Sequence, residues 1–585
     1  MRWSIEDFKG ICEAKVDIGR GKTTILTGIN SSGKSSLIQS LLLVAQSLHS
    51  QGPVVLNGPL VRLGDAQDLV REESESGCVV FSMDINTSKH EEVLSQLDLR
   101  ARYELVPSGD GATLQPRRVE ITVGGELSLP FVIANANSRA NDVELAQEVT
   151  SGLGQCSALH IKSLLGSENR QLRTYVILQG MKPAVVVQAM EARDIAARYR
   201  KALEGLLEEF SQDRLRAAAA ANSRAGRAIF IREFVRLVAE YARRHPSENV
   251  DELTRPVRKI RNGNPYAFEE TWGGLESNQR ERLVEMAVES RALNPFVLLP
   301  VRGSSWGYIS ATGVLESALE AALGDTFAAL GALGTTLESI SDRVQYLGPL
   351  RDEPRVVWNH WNELARSLPV GTRGEYSAAV LSRSNTDIIR YVTTNGNVEF
   401  ASLGEAVNDW LGYLEIGDTV AARSHGKLGV GLDLSVAGHV RDLTSVGVGV
   451  SQTLPLLVGL LATPLEGLFI VEQPELHLHP AVQARLADFM LTSRPDLSLI
   501  VETHSDAFVT RVRRRVAEGT FGGNRVDVTF VEPGLGGSTA RALEISEFGD
   551  LSEWPDGFIS SAEEDVRAIL RANIRRSKGQ ASNDN

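Results

Sequence analysis

Two parts of the chain alternate short apolar strands with apolar helices. Near the start, residues 3–8 and 23–27 are strand-like and an apolar helical run follows them. From about residue 340 to 547 strands and helices alternate again, with apolar strands at 467–471 and 497–501. This pattern predicts an α/β fold.

The region between these two parts has a different pattern. Strand-like runs with turn signals fill residues 54–132 and predict a β-rich extension of the first part. From about residue 141 to 337 the periodicity is helical, but heptads are not sustained, which argues against a long coiled coil. The sequence therefore predicts a long, mainly helical insertion.

The longest apolar stretch, residues 454–471, resembles a membrane span in hydropathy only. Pro455, Pro464, Glu466 and Gly467 interrupt it. It is better divided into a buried helix at 452–461 and a buried strand, so we expect no transmembrane segment and no membrane partner.

Composition places the chain among ordinary folded proteins. It has 585 residues, with 61 Lys and Arg against 74 Asp and Glu and a net charge of -13. Cys12, Cys78 and Cys156 are far apart and form no CxxC pair, which disfavours a zinc site or a disulfide scaffold. Since the first residues also lack a signal-peptide pattern, we expect a cytoplasmic protein.

Residues 28–35 match the phosphate-binding pattern G-x-x-x-x-G-K-[ST] between a strand and a helix. In such a loop backbone N–H groups face the phosphates, Lys34 supplies a charge, and the Ser35 hydroxyl ligates Mg²⁺. The sequence thus predicts an ATP site with Mg²⁺. Its binding residues are Gly28, Asn30, Ser31, Ser32, Gly33, Lys34, Ser35 and Ser36.

Two apolar strands end in polar residues far along the chain. The first ends in Glu472, which we expect to hold Mg²⁺ with Ser35, and is followed by Gln473 and Glu475 as candidate catalytic residues. The second leads to His504, a candidate for contact with the γ-phosphate or the attacking water.

Other polar residues near these strands have different expected roles. His477 and His479 lack a third metal ligand and are interpreted as turn and packing residues. A glycine-rich segment at 445–452 leads into the apolar helix, and helix N-termini bind anions. Its candidate nucleotide-binding residues are Gly447, Gly449, Ser451 and Gln452.

Together these four elements resemble the ABC-type ATPases of the RecF/SMC/OLD group, over about residues 1–60 and 340–560. A closer similarity is to bacterial AAA/ABC-like ATPases of anti-phage defence systems, such as the Septu and retron-associated ATPases. It rests on residues 39–43, 56–58, 63–64, 346–351, 371–375, 446–455, 472–480 and 554–558.

The resemblance implies an ABC-type P-loop ATPase head that is split by the insertion. The expected divisions are an N-terminal lobe at 1–135, the insert at 136–340, a C-terminal lobe at 341–560 and a flexible tail at 561–585. It also implies a head-to-head dimer, or a higher oligomer, that sandwiches two ATP molecules. Residues 28–36 of one subunit would then face residues 447–452 of the other.

The sequence departs from the group at one position. The acidic strand of the wider group ends in Asp-Glu, whereas here the pair is Glu472-Gln473, and a neutral amide cannot accept the proton of the attacking water. Either Glu475 or His504 substitutes, or hydrolysis is slow and the ATP-bound dimer is long-lived. We favour slow hydrolysis.

Two further features bear on partners. Residues 193–262 are basic, with a net charge of about +6, which is typical of a nucleic-acid contact, of a solvated helix face or of a docking face for an acidic partner.

OLD-family nucleases carry a Toprim domain after the ATPase, but residues 505–585 are too few for one. Any nuclease or toxin would therefore be a separate effector subunit.

Two functional classes remain open besides a near-inactive nucleotide-binding scaffold. The preferred hypothesis is an ATPase that senses a trigger and regulates a partner effector in anti-phage defence. The rival is a RecF-like repair or recombination factor that uses ATP to clamp DNA.

Overall fold

The structure is a computed structural model, and it describes most of the chain. Some of the sequence-based predictions concern residues outside this description. These are Cys156, three cations of the basic segment (Arg214, Arg216 and Arg261), residues 556–558 and nearly all of the tail at 561–585. The described residues are 1–49, 54–86, 98–124, 129–134, 157–161, 173–211, 221–246, 250–260, 265–293, 296–301, 315, 319–320, 323–358, 370–555 and 569–571.

The described strands are numbered in chain order. They are β1 (Arg2–Phe8), β2 (Ile11–Asp17), β3 (Thr23–Gly28), β4 (Val79–Asn86), β5 (Asp98–Pro107), β6 (Leu114–Gly124), β7 (Leu129–Ala134), β8 (Ser157–Ile161), β9 (Arg173–Gln179), β10 (Lys182–Ala189), β11 (Phe296–Pro300), β12 (Val344–Leu347), β13 (Ile388–Val392), β14 (Val398–Ser402), β15 (Thr419–Ser424), β16 (Val430–Val436), β17 (His439–Asp442), β18 (Leu468–Glu472), β19 (Ser498–Glu502), β20 (Val526–Glu532) and β21 (Ser538–Leu543).

The described α-helices are numbered in the same way. They are α1 (Lys34–His49), α2 (Ala192–Ser211), α3 (Ala221–Arg244), α4 (Val250–Arg258), α5 (Pro265–Gly273), α6 (Ser277–Ala292), α7 (Asp325–Arg343), α8 (Ser377–Arg383), α9 (Leu403–Tyr413), α10 (Val448–Ala462), α11 (Pro480–Thr492) and α12 (Asp506–Ala517).

The chain divides into two compact units. The first is built from Met1–Ser50, Val54–Gln115 and Glu338–Asn585, and the second from Gln51–Pro53 and Pro116–Leu337. The first unit alternates strands and helices, so the predicted α/β fold class is confirmed.

The first unit contains the sheet that carries the candidate site. Its strands run in the order β5-β4-β1-β2-β21-β20-β3-β19-β18-β12. Strand β3 is parallel to β19 and β20, and β18 is parallel to β19 and β12. Because the carboxyl ends of parallel strands meet at one edge of a sheet, the loops that follow β3, β18 and β19 lie together.

The central strands are apolar because both of their faces are covered. Every residue of β3, β18 and β19 is buried. Leu456, Leu457 and Leu460 of α10 belong to the same buried cluster as Phe469 of β18 and Leu499 of β19. Continuous apolar runs are expected for parallel strands that are covered on both faces.

The second unit combines strands with helices. Most of β6, strands β7 to β11 and helices α2 to α6 lie within it. The prediction that residues 141–337 are helical is therefore wrong at 157–161, 173–179, 182–189 and 296–300. These strands are short β-branched and apolar runs, which periodicity alone does not distinguish from a buried helical segment.

The basic segment of the second unit forms helices α2, α3 and α4. Several of its cations have acidic partners. Arg236 and Arg244 both lie within ion-pair distance of Glu240, at 3.5 and 2.5 Å, and Arg258 contacts Asp251 at 2.9 Å. These three arginines are thus partly neutralised by acidic side chains of the same segment.

Helix α10 contains the first part of the long apolar stretch at 454–471, which resembles a membrane span in hydropathy. It is buried against the central strands, and Pro455 lies within it. Across the described residues, no helix combines the length and the apolarity that crossing a membrane requires.

Candidate functional site

The phosphate-binding loop leaves β3 and enters α1, as the sequence predicts. Gly28 has φ 143°, and a Cβ atom there would lie 2.2 Å from the carbonyl oxygen of Val531 on the neighbouring strand. Gly33 has φ 98°. Both positions require glycine, because other residues rarely adopt such φ values and the first also lacks room for a side chain.

Residues of this loop differ in exposure. Asn30 and Ser31 are exposed at its rim, whereas Ser32 and Lys34 are buried and Ser36 is half-buried. The exposed backbone can approach an anion, and the buried lysine lies beneath it.

Lys34 holds the loop from within. Its Nζ donates hydrogen bonds to the carbonyl oxygens of Gly28 at 3.1 Å and Ile29 at 2.7 Å. Burial lowers the pKa of Lys34, and the nearby Glu502 carboxylate opposes that shift. The Lys34 ammonium group thus lies against the backbone of the loop.

Two carboxylates meet at the same sheet edge. Glu472 ends β18 and Glu502 ends β19, and the two are register partners. Both are buried, with 6% and 3% exposure. The hydroxyl of Tyr346 donates a 2.6 Å hydrogen bond to Glu472 Oε1. The structure thus places Glu472 where the sequence expected an acidic residue.

Glu502 has no role in the sequence-based interpretation, although it lies two residues before His504. The Ser35 hydroxyl donates to its carboxylate at 3.1 Å, with the second oxygen at 3.4 Å. Burial, and then the negative charge of Glu472, raise the pKa of Glu502 to about 8. The only signal in the sequence is an acidic residue that ends an apolar strand.

Arg351 is a second residue without a predicted role. Its two Nη atoms donate to the backbone carbonyl of Glu472 at 3.2 Å, and burial lowers the pKa of Arg351 to about 10. This contact joins the segment after β12 to the end of β18. It therefore fixes the backbone that carries the acidic residue.

Glu475 connects the two loops that follow the acidic strands. Its Oε1 accepts a 2.8 Å hydrogen bond from the backbone N–H of His504, while its buried Oε2 has no hydrogen-bond partner. Burial raises the pKa of Glu475. Through this hydrogen bond Glu475 can hold the backbone of the loop that carries His504.

Gln473 follows β18 and His504 follows β19 at the edge of the sheet that carries the two acidic residues. Gln473 is half-buried, has φ 45°, and donates its backbone N–H to the carbonyl of Glu502 at 2.7 Å. The side chain of His504 is exposed, and burial of part of the ring together with the Lys34 charge lowers the pKa of His504. A neutral imidazole can accept or donate a hydrogen bond at pH 7.

The two neighbouring histidines have local contacts. His479 is the N-cap of α11, and its Nδ1 accepts from the backbone N–H of Ala481 at 3.2 Å. His477 has φ 64° in the turn before it. These positions agree with the turn part of the prediction, whereas both residues are exposed, so the packing part is wrong.

The glycine-rich segment differs from expectation in one respect. Helix α10 begins at Val448 with Gly447 as its N-cap, so the predicted helix start at residue 452 is wrong. Gly449 and Ser451 lie in the first turn, where glycine is tolerated. The Ser451 hydroxyl is turned inward and donates to the carbonyl of Val448 at 2.8 Å.

The first turn of α10 packs beside the turn that follows the acidic strand. A Cβ atom at Gly449 would lie 3.3 Å from the side chain of Leu478. Gly447 and Val448 are exposed, and Gln452 is half-buried. Among the described residues, no hydrogen bond joins residues 447–452 to residues 28–36 of the same chain. The structure thus brings the P-loop and both acidic strands together, and this segment packs beside the turn after β18 without a described hydrogen bond to the P-loop.

The sheet edge also offers oxygen donors for a divalent cation. The Ser35 hydroxyl contacts the carboxylate of Glu502, which in turn contacts the carboxylate of Glu472. No group of three His, Cys, Asp or Glu suited to a metal occurs among the described residues. A hydroxyl and two carboxylates are donors of the kind that Mg²⁺ takes in proteins, usually together with phosphate oxygens.

A comparison with protein families matches part of the chain. Residues 338–510 match a family described as an AAA domain, putative AbiEii toxin, type IV toxin–antitoxin system. The matched segment contains α10, both acidic strands and His504.

Two curated proteins are similar over short segments. The oligomycin resistance ATP-dependent permease YOR1 of Saccharomyces cerevisiae is 25% identical over 173 residues, which are 29% of this chain and 11% of the permease. Human ATP-binding cassette sub-family C member 2 is 22% identical over 188 residues, which are 32% of this chain and 12% of that protein. The chain thus spans about a tenth of the length of these relatives.

Solved structures with some likeness include two Smc head domains. One, from Pyrococcus furiosus, carries an extended coiled coil and is bound to the C-terminal domain of ScpA. It is 13% identical, covers 98% of each chain and has a TM-score of 0.33. The other, from Pyrococcus yayanosii, is 13% identical and covers 93% of this chain and 97% of its own, with a TM-score of 0.32. The family match and the ATP-binding relatives support an ABC-type P-loop ATPase.

Proposed function

We propose that the chain binds ATP with Mg²⁺ at residues 28–36 and hydrolyses it slowly. One arrangement supports this most. Lys34 and Ser35 lie at the same sheet edge as the carboxylate of Glu472. A phosphate-binding loop beside a strand-end carboxylate is how P-loop folds hold a triphosphate and its metal.

The residues divide this work among them. Backbone N–H groups of the loop and the Lys34 ammonium bind the phosphates, and Ser35 with Glu472 holds Mg²⁺, which when bound neutralises phosphate charge. Gln473 stands where a catalytic base is expected, and its amide cannot take a proton. Because Glu475 is engaged with the His504 backbone, we favour slow turnover over substitution by Glu475.

Nucleotide binding is tested with a fluorescent ATP analogue and Lys34→Ala. We expect affinity at least tenfold weaker than in the unchanged protein, because the charge beneath the loop is lost. Lys15→Ala is the control, since Lys15 is exposed and pairs with Glu13. Equal affinity in all three proteins, or no binding in the unchanged one, would contradict the proposal.

The second part of the proposal is an ATP-dependent head-to-head dimer. Gly447 and Val448 are exposed at the start of α10, and Val448 is a large apolar side chain with 53% exposure. Val448→Arg should block the mass doubling that we expect on adding ATP with Mg²⁺, measured by sedimentation. Leu465→Arg is the control, because Leu465 is an apolar side chain with 63% exposure beyond the other end of the helix. If Val448→Arg still dimerises, this interface is wrong.

The third part is regulation of a separate effector in anti-phage defence. The matched family's description names a toxin and a toxin–antitoxin system, which supports a role of this kind. The test is protection of cells against phage when the chain is expressed with the products of its neighbouring genes. We expect Lys34→Ala to abolish protection, and no protection from any unchanged combination would contradict the role.

The DNA-clamp alternative receives less support. Its candidate surface is the basic segment, where Arg236, Arg244 and Arg258 have acidic partners. A clamp predicts ATP-dependent, salt-sensitive binding of duplex DNA by the isolated chain. We expect no such binding.

A further inference from the structure

The strand that lies between the P-loop strand and the acidic strand ends in a carboxylate. Strand β19 pairs with β3 on one side and with β18 on the other. Its last residue, Glu502, is therefore paired with Leu26 of β3 as well as with Glu472 of β18. Glu502 is one strand nearer to the P-loop than Glu472.

This position is accompanied by a direct contact with the loop helix. Both carboxylate oxygens of Glu502 lie within 3.4 Å of the Ser35 hydroxyl. Ser35 is the residue whose hydroxyl serves the metal in a P-loop. The carboxylate of Glu475, in contrast, is engaged by the backbone N–H of His504.

The environment of the pair also favours a cation. Glu472 and Glu502 are buried and share a hydrogen bond, and Oε1 of Glu472 is already taken by the Tyr346 hydroxyl. Two adjacent buried carboxylates repel each other when both are ionised, and a divalent cation removes that cost. Lys34, which acts electrostatically on Glu502, directs its ammonium group to the loop carbonyls, and Arg351 is bound to the backbone carbonyl of Glu472.

We propose that Glu502 is a direct ligand of the divalent cation that accompanies the nucleotide, together with Ser35, and that Glu472 is the second carboxylate. This rests on the proposed function, because it concerns the same Mg²⁺–ATP site. The competing view is that Glu502 only orients the Ser35 hydroxyl.

Glu502→Gln separates these two views. The amide keeps the size of the side chain and an oxygen that can accept from Ser35, but it loses the negative charge that a divalent cation prefers. Affinity for a fluorescent, non-hydrolysable ATP analogue is measured with Mg²⁺ and with EDTA in the full-length protein. Circular dichroism confirms that each variant is folded.

In the unchanged protein we expect Mg²⁺ to strengthen analogue binding. In Glu502→Gln we expect at least a tenfold loss of that strengthening, with affinity in EDTA unchanged. Glu502→Asp should recover part of it. Electron paramagnetic resonance of Mn²⁺ with the analogue should likewise show weaker Mn²⁺ binding in Glu502→Gln.

Glu532→Gln is the matched control. Glu532 ends β20, the strand on the other side of β3, and pairs with Arg541 at 3.6 Å. Its Mg²⁺ response should equal that of the unchanged protein. If Glu502→Gln keeps the full Mg²⁺ response, Glu502 is not a ligand. If the unchanged protein binds no analogue at all, the proposed function has failed instead.

Discussion

The hydroxyl of Tyr346 donates a 2.6 Å hydrogen bond to Glu472 Oε1, which links the edge strand β12 to the acidic residue of β18. Burial and the Glu472 charge raise the pKa of Tyr346, so the hydroxyl remains a donor at any ordinary pH. The carboxylate is thereby held in one orientation at the sheet edge.

Tyr346→Phe should lower the free energy of unfolding by about 1–2 kcal/mol, because a buried carboxylate oxygen loses its donor. Urea denaturation in EDTA measures this. Tyr376→Phe is the control, since Tyr376 is half-buried and no hydrogen bond of its hydroxyl is described. Equal losses in the two variants would show that the bond to Glu472 has no special weight.

Gly28→Ala should destabilise the protein by at least about 2 kcal/mol and abolish ATP binding, because the added Cβ meets the Val531 carbonyl and the φ value is unfavourable. Gly10→Ala is the control, because a Cβ there meets no atom within 4 Å. Thermal unfolding and nucleotide affinity are measured for both. A normal melting temperature for Gly28→Ala would contradict the loop geometry.

Asp488 is a buried anion that joins α11 to α12. It accepts from Arg515 Nε at 2.6 Å and from the Tyr413 hydroxyl at 2.7 Å. Asp488→Ala should cost about 1–3 kcal/mol, since the half-buried Arg515 guanidinium and the Tyr413 hydroxyl lose a buried acceptor. Glu518→Ala removes an exposed partner of the same arginine and should change stability little. Chemical denaturation compares the two.

The raised pKa of Glu502 predicts how stability depends on pH in EDTA. A carboxyl group that ionises near pH 4.3 when unfolded and near 8 when folded binds its proton more tightly in the folded state. Its contribution to stability is therefore complete below about pH 4.3 and is lost as pH rises towards 8, by at most about 1.4 kcal/mol per pH unit.

Glu502→Gln should flatten this dependence between pH 5 and 8. The measurement is the difference in unfolding free energy between variant and unchanged protein across the range. A difference that does not change with pH would show that Glu502 is ionised normally in the folded state.

Gln473→Glu should raise ATP turnover at least tenfold, because a carboxylate can accept the proton that an amide cannot. Phosphate release is measured under multiple-turnover conditions, with Gln473→Ala as the control that removes the amide without adding a base. An unchanged rate in Gln473→Glu would indicate that Glu475 or His504 already serves as the base.

The sequence by itself determined the local parts of the site. The glycines at 28 and 33, with Lys34 and Ser35 after them, specify a loop between β3 and α1, because backbone conformation there depends on neighbouring residues. The apolar runs before Glu472 and Glu502 likewise specified two buried strands. The short strands β8 to β11 were missed, since a brief apolar run fits a buried helix as well.

Only the tertiary structure decided which of these parts touch. Strand order places β19 between β3 and β18, and this brings Glu502 to Ser35 although 467 residues separate them. It also turns Arg351 onto the Glu472 carbonyl and Tyr346 onto its carboxylate. Such contacts follow from the pairing of strands distant in sequence, and neither residue type nor spacing along the chain encodes that pairing visibly.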